Sequence, residues 1–85
     1  MKLVILIPAY NEEDSIARVI QDLPKHIEGI SDIQALVVDD GSKDGTAQEA
    51  VSAGAEVVSH TFNRGLGKAF ATGLARALEL QADVM

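Results

Sequence analysis

The stretch Leu36-Val37-Val38-Asp39-Asp40-Gly41-Ser42-Lys43-Asp44-Gly45-Thr46 constrains the fold more than any other part of the chain. Val37 and Val38 are β-branched, and the run from Ala35 does not alternate, which is the pattern of a strand covered on both faces. The strand then ends abruptly in two carboxylates. Asp39 and Asp40 stand where a parallel sheet presents groups to a ligand in the crevice beyond its strand ends. Gly41 and Gly45 permit turn conformations that a Cβ would penalise. Thr46, with Glu49 three residues on, reads as a capping box that starts the next helix. The bland alternative is a surface turn whose aspartates only solvate it.

The flanking elements repeat this unit. Leu3 to Ile7 is an unbroken apolar run, read as a buried parallel strand that Pro8 ends, since proline cannot donate to the ladder. Ala9 to Ser15 is a polar loop entering a helix with an acid-rich first turn, favourable at the positive end of its dipole. In that helix Ile16, Val19, Ile20 and Leu23 form one apolar stripe, and Pro24 stops it. Lys25 to Asp32 has no clear period and is a connection. The second strand is Ile33 to Asp40, and the second helix runs from Thr46 to Ala53 with Gly54 as its stop.

A shorter third strand, Glu56 to His60, leads through the loop Thr61 to Gly65 into a third helix. Leu66, Ala69, Phe70, Gly73, Leu74, Ala77 and Leu78 give this helix its stripe, and Gly73 marks close packing on the sheet. Ala82 to Met85 is the approach to a fourth strand.

This order of elements predicts an α/β fold with a mainly parallel, Rossmann-like sheet and helices on both faces. Strand order 3-2-1-4 would put the first two helices on one face and the third on the other. The switch point then falls between strands 1 and 4. Ligand contacts are expected from Pro8 to Glu12, Asp39 to Ser42 and Asn63 to Lys68.

Composition narrows the function. A chain of 85 residues makes one small domain, which buries roughly 60–65% of its unfolded surface. The net charge of −6 and the lack of a basic run argue against nucleic acid as a partner. A phosphate-bearing ligand stays open, because local cations and backbone amides bind phosphate. There is no cysteine, hence no disulfide, thiolate metal site or cysteine nucleophile. Leu3 to Ile7 is too short for a signal h-region or a membrane span, so the expected setting is soluble and cytoplasmic.

Particular side chains carry the chemistry. Tyr10 is the only tyrosine, placed either to stack on a base or to pack its loop against the helix. Glu12 can accept hydrogen bonds from a ribose diol or serve as a helix-terminal charge. Asp39 and Asp40 are adjacent on a strand, so their side chains point to opposite faces and make a poor metal chelate. One of them, Asp40 by preference, can then reach a ligand such as a uracil or guanine N–H edge while the other anchors the turn. Asn63-Arg64-Gly65-Leu66-Gly67-Lys68-Ala69 matches neither dinucleotide nor P-loop fingerprints, but a helix start with two glycines and two cations suits an anion. It reads otherwise as a flexible loop with solvated cations. His26 and His60 lack metal-ligand spacing and read as structural or exposed, and Ser42 has no histidine partner that would make it a nucleophile.

Pro8-Ala9-Tyr10-Asn11-Glu12, the Val37 to Thr46 stretch and Asn63 to Ala69 occur in the order found in family 2 glycosyltransferases. The chain resembles in particular the polyprenyl (dolichyl) phosphate sugar transferases of that family. The resemblance implies a GT-A fold and transfer of a sugar from a UDP- or GDP-linked donor to an acceptor, a polyprenyl or dolichyl phosphate. By position it puts Pro8, Ala9, Tyr10 and Glu12 around base and ribose, and Asp40, beside Asp39 and Gly41, on the base. Arg64, Gly67 and Lys68 would lie near the nucleotide. It also implies Mg²⁺ or Mn²⁺ on the diphosphate, held by an Asp-x-Asp motif expected after Met85, so that no metal ligand or catalytic base is expected within these residues.

The 85 residues alone are therefore expected to be inactive, with any membrane association arising from parts beyond Met85, at the cytoplasmic face of a membrane. An isolated piece of this length is expected to self-associate. Two other readings stand beside this one, a sugar-1-phosphate nucleotidyltransferase and a non-catalytic nucleotide-binding module.

Overall fold

Three parallel strands form the centre of the computed structural model, which describes all residues from Met1 to Met85. They are β1 (Lys2–Ala9), β2 (Asp32–Asp39) and β3 (Glu56–Ser59), in the order β1-β2-β3. On the other side of β1, Leu3 makes a parallel bridge with Val84, and the Val4 N–H donates to the Val84 carbonyl at 2.9 Å. The expected order 3-2-1-4 is thus realised, with the fourth position only begun.

β1 does not end at Pro8. It runs on through Pro8 and Ala9, paired with Val38 and Asp39. Strand backbone groups alternate sides with a period of two, so the nitrogen of Pro8 falls on the same outer edge as that of Val4. No strand stands opposite Pro8 on that edge, and its missing N–H costs no ladder bond. β2 stops at Asp39 rather than Asp40, although the Asp40 N–H still donates to the Ala9 carbonyl at 2.8 Å.

The helices are α1 (Ile16–Gln21), α2 (Thr46–Ser52) and α3 (Leu66–Glu79). α1 is shorter than its apolar stripe. Ile16 and Ile20 are buried, Val19 is exposed, and Leu23 lies beyond the helix in a tighter turn closed on the Ile20 carbonyl. Its first turn holds no acid. Glu12, Glu13 and Asp14 form the turn before it, where the Glu12 carbonyl accepts from the Ser15 and Ile16 N–H groups. Thr46 is the first residue of α2 and not its cap, which removes the capping box. Asp44 takes over, its Oδ1 accepting from the Thr46 N–H at 3.0 Å and from the Thr46 hydroxyl, which is wholly buried.

α1 and α2 cover one face of the sheet, where Ile16, Ile20 and Ala50 meet Ala9 and Val37. α3 covers the other, where Ala77 meets Val4 and Leu36. α3 buries its small residues Ala69, Gly73 and Ala77 and leaves Leu66 and Leu78 more than 60% exposed, at 62% and 68%. The expected stripe is therefore split. A row of alanine and glycine lets the helix sit close to the strands, and a Cβ at Gly73 would collide with the Leu6 side chain, as the close-packing expectation requires. Arg76 ties the same helix to β3 through Glu56 at 2.6 Å.

The wide apolar row of α3 and the outer edge of β1 enclose a groove of about 480 Å³ lined by apolar residues, Leu6, Phe70, Leu74 and Met85 among them. Beyond Val4 this edge is unpaired, and an open strand edge beside an exposed apolar patch is a template for another chain. An isolated 85-residue chain is accordingly expected to self-associate, with a scattering mass that rises with concentration. A monodisperse monomer that melts cooperatively would sink this expectation.

Candidate functional site

Register builds the site. Ala9, Asp39 and Ser59 stand side by side at the strand ends, so the next residues, Tyr10, Asp40 and His60, leave the sheet together. The His60 N–H donates to the Asp39 carbonyl at 2.8 Å, which carries the ladder one step further.

The two aspartates are both 5% exposed, and both hold loop backbone. Asp39 Oδ1 accepts from the Ser42 N–H at 3.1 Å and Oδ2 from the Ser59 hydroxyl at 3.3 Å, the turn-anchoring role expected for one of the pair. Asp40 is not left free by this division. Its Oδ1 accepts from His60 Nδ1 at 2.8 Å and from the Arg64 N–H at 2.8 Å, and its Oδ2 accepts from the Gly65 N–H at 2.9 Å. Oδ2 has one protein donor, so it retains capacity for a second.

The His60 hydrogen bond, then the Arg64 and Gly65 N–H groups, hold the Asp40 carboxyl below its ordinary value of 3.8. Asp44 is lowered in the same direction, chiefly by the Thr46 hydroxyl. A carboxyl lowered by folding stabilises the fold while ionised, and that contribution is lost as pH falls through the folded pKa. Stability is thus expected to hold from neutral pH to about 5 and to decline below 3.8, with a shallower decline in Asp40→Asn. Denaturant midpoints measured across that range check it, and an identical decline in the variant would contradict it.

The loop after β1 is stitched to the turn after β2. The Asn11 N–H donates to Ser42 Oγ at 2.8 Å, and Asn11 Oδ1 accepts from the Lys43 N–H at 2.9 Å. The Glu12 N–H donates to Thr46 Oγ1 at 2.8 Å, and Glu13 Oε2 accepts from the Gly45 N–H at 2.8 Å. Asn11 adopts a φ of 52°, a conformation that asparagine tolerates better than most residues. Gly41, with φ +77°, packs directly under the backbone of Phe62 and Asn63, leaving no room for a Cβ.

Between these loops and the start of α3 lies an open cavity of about 280 Å³. Pro8, Ala9, Tyr10, Glu12 and Asp40 line it, so five of the expected residues come together. Asn63, Gly65, Leu66 and Ala69 complete the wall. Tyr10 is 44% exposed, and the Glu12 carboxylate accepts from the Ser15 hydroxyl at 3.0 Å. Asp39 and Gly41 lie behind the wall as supports. Arg64, Gly67 and Lys68 are exposed and outside the lining, with the Arg64 guanidinium 5.8 Å from the centre of the Phe62 ring. The larger groove on β1 is lined by apolar residues and holds no polar side chain to orient a ligand.

Glu13, His60 and Thr72 were not expected at the site, and Asn11, inside the expected Pro8 to Glu12 segment, had no role assigned to its side chain. For His60 a signal existed, because extending two parallel strands by one residue places it beside Asp40. No group of three or more His, Asp or Glu side chains gathers in a way that could hold a metal ion, so these residues by themselves do not fit a divalent cation site.

Residues 4–79 match the family model described as Glycosyl transferase family 2. The chain belongs to that family. Similar to this family 2 chain is the UDP-N-acetylglucosamine--dolichyl-phosphate N-acetylglucosaminyltransferase of Methanococcus voltae, 33% identical over 96% of this chain and 38% of that protein. The undecaprenyl-phosphate mannosyltransferase of Micrococcus luteus is 34% identical over 100% of this chain and 36% of its own length. Among solved structures, glucosyl-3-phosphoglycerate synthase from Mycobacterium tuberculosis, in complex with Mn²⁺, UDP-glucose and glycerol 3-phosphate, superposes with a TM-score of 0.71. It is 31% identical, over 88% of this chain and 29% of that one. The chain thus spans about a third of the length of the relatives it matches. Its parallel sheet with helices on both faces is the GT-A arrangement. No helix is long and apolar enough to cross a membrane.

Proposed function

We propose that this family 2 chain is the nucleotide-recognising part of a glycosyltransferase that moves a sugar from a UDP- or GDP-linked donor to a polyprenyl or dolichyl phosphate. The observation that carries the reading is the cavity at the strand ends, where an exposed aromatic ring and two carboxylates converge. The Tyr10 ring stacks on the base, Glu12 accepts from the ribose diol, and the remaining acceptor site of Asp40 Oδ2 takes a base N–H. The start of α3, with Arg64, Gly67 and Lys68, faces the phosphates, where backbone N–H groups and two cations favour negative charge. These residues bind and orient the donor; bond-making groups belong to other parts of the protein.

The acceptor follows the two lipid-phosphate relatives, while the 3-phosphoglycerate of the solved neighbour's name is the competing acceptor class. A Mg²⁺ or Mn²⁺ ion would neutralise charge on the diphosphate, with ligands from outside these residues, and the solved neighbour's complex contains Mn²⁺ together with UDP-glucose. Activity at the cytoplasmic face of a membrane belongs to the same proposal.

Tyr10 gives the test. In the full chain, titration calorimetry with UDP and GDP should show Tyr10→Phe binding nearly as the parent does. Tyr10→Ala should lose about 1–3 kcal/mol, the worth of one base–aromatic stack. Equal losses in the two variants would point to the hydroxyl and reject stacking. A parent protein that binds neither nucleotide would reject the function.

A further inference from the structure

His60 directly follows β3, its side chain is only 8% exposed, and both ring nitrogens are engaged. Nδ1 lies 2.8 Å from Asp40 Oδ1 and Nε2 lies 2.7 Å from Oγ1 of Thr72, in the second turn of α3. A carboxylate only accepts, so Nδ1 carries the proton and donates it. In the neutral ring Nε2 is then an acceptor, and the Thr72 hydroxyl donates to it. Asp40, which can only accept, therefore selects the tautomer, and the Thr72 hydroxyl, which can donate, completes it at Nε2. Asp40 in turn holds the Arg64 and Gly65 N–H groups, and Gly65 sits in the cavity wall at φ +92°. The line Thr72–His60–Asp40–Gly65 joins α3, β3, β2 and the loop that closes the cavity.

We propose that His60 is a positioning residue for nucleotide recognition, acting through Asp40 to fix the orientation of its carboxylate and the course of loop 62–65. The proposal rests on the nucleotide reading of the cavity. A histidine that merely filled space would behave differently. Packing depends on volume, whereas positioning depends on an N–H at one place on the ring. Asparagine offers an N–H near the place of Nδ1 and glutamine near that of Nε2, so the two substitutions divide the ring's functions.

The test uses the full chain, with calorimetric titration of UDP and GDP and ¹H–¹⁵N spectra of the same samples. The parent should show His60 in the Nδ1–H tautomer, and the Arg64 and Gly65 amides should resonate at positions typical of donors to a carboxylate. His60→Gln and His60→Ala should weaken nucleotide binding about ten-fold and move both amides, while His60→Asn stays within about three-fold of the parent and keeps them. Equal losses in the Asn and Gln variants would mark a packing role and overturn the proposal. So would an Nε2–H tautomer, or a Gln variant with unchanged affinity and unmoved amides. If the parent binds neither nucleotide, the proposed function fails separately, and the amide positions in the Asn and Gln variants still decide whether His60 positions the loop.

Discussion

Gly41→Ala is expected to be the most damaging small substitution in the chain. Two costs combine. An alanine at φ +77° leaves the favoured regions for an L-residue, at about 1–2 kcal/mol. Its Cβ would also meet the backbone of Phe62 and Asn63, which cannot swing aside as a side-chain tip can. Forcing atoms into filled space adds about 1–3 kcal/mol, so a total near 3 kcal/mol or more is expected from denaturant unfolding. Gly54→Ala is the control, because that residue has φ +97° and nothing close to its missing Cβ. It should lose only the conformational part, about 1–2 kcal/mol. Equal losses at the two positions would show that the contact with loop 62–63 is unimportant. The loop lines the cavity through Asn63 and Gly65, so Gly41→Ala should reduce nucleotide affinity as well.

Asp40→Ala should have the largest effect on the site. Removal of the carboxylate leaves His60 Nδ1–H and the Arg64 and Gly65 N–H groups without their acceptor. Buried donors left unpaired are penalised more heavily than the loss of a net hydrogen bond would suggest. The expected results are a fall in nucleotide affinity of about ten-fold or more and faster hydrogen exchange at Arg64 and Gly65. Asp40→Asn serves as a sharper probe. Its amide nitrogen would face a donor wherever it is placed, so the variant should resemble Asp40→Ala. Unchanged exchange and affinity in both variants would remove Asp40 from the site and its loop.

Much of the architecture was legible in the chain alone. Leu3–Ile7 and Ala35–Val38 lack alternation, and such runs are comfortable only with both faces covered. Interleaved with amphipathic segments, they left a parallel sheet with helices on both sides as the simple outcome, and the 3-2-1 order and Gly73 against Leu6 follow it. The convergence of Pro8 to Glu12 with Asp40 was legible for the same reason, since strand ends in such a sheet meet at one edge. Other features depend on partners distant in sequence. Whether Pro8 breaks a strand turns on which edge of β1 lacks a neighbour, and how much of the α3 stripe is buried turns on how near the helix approaches. The commitments of Asp40 arise from His60, Arg64 and Gly65, twenty or more residues away, brought within 3 Å only when β2 and β3 align. A carboxylate's neighbours decide whether it waits for a ligand or holds a loop, and those neighbours exist only in the folded chain.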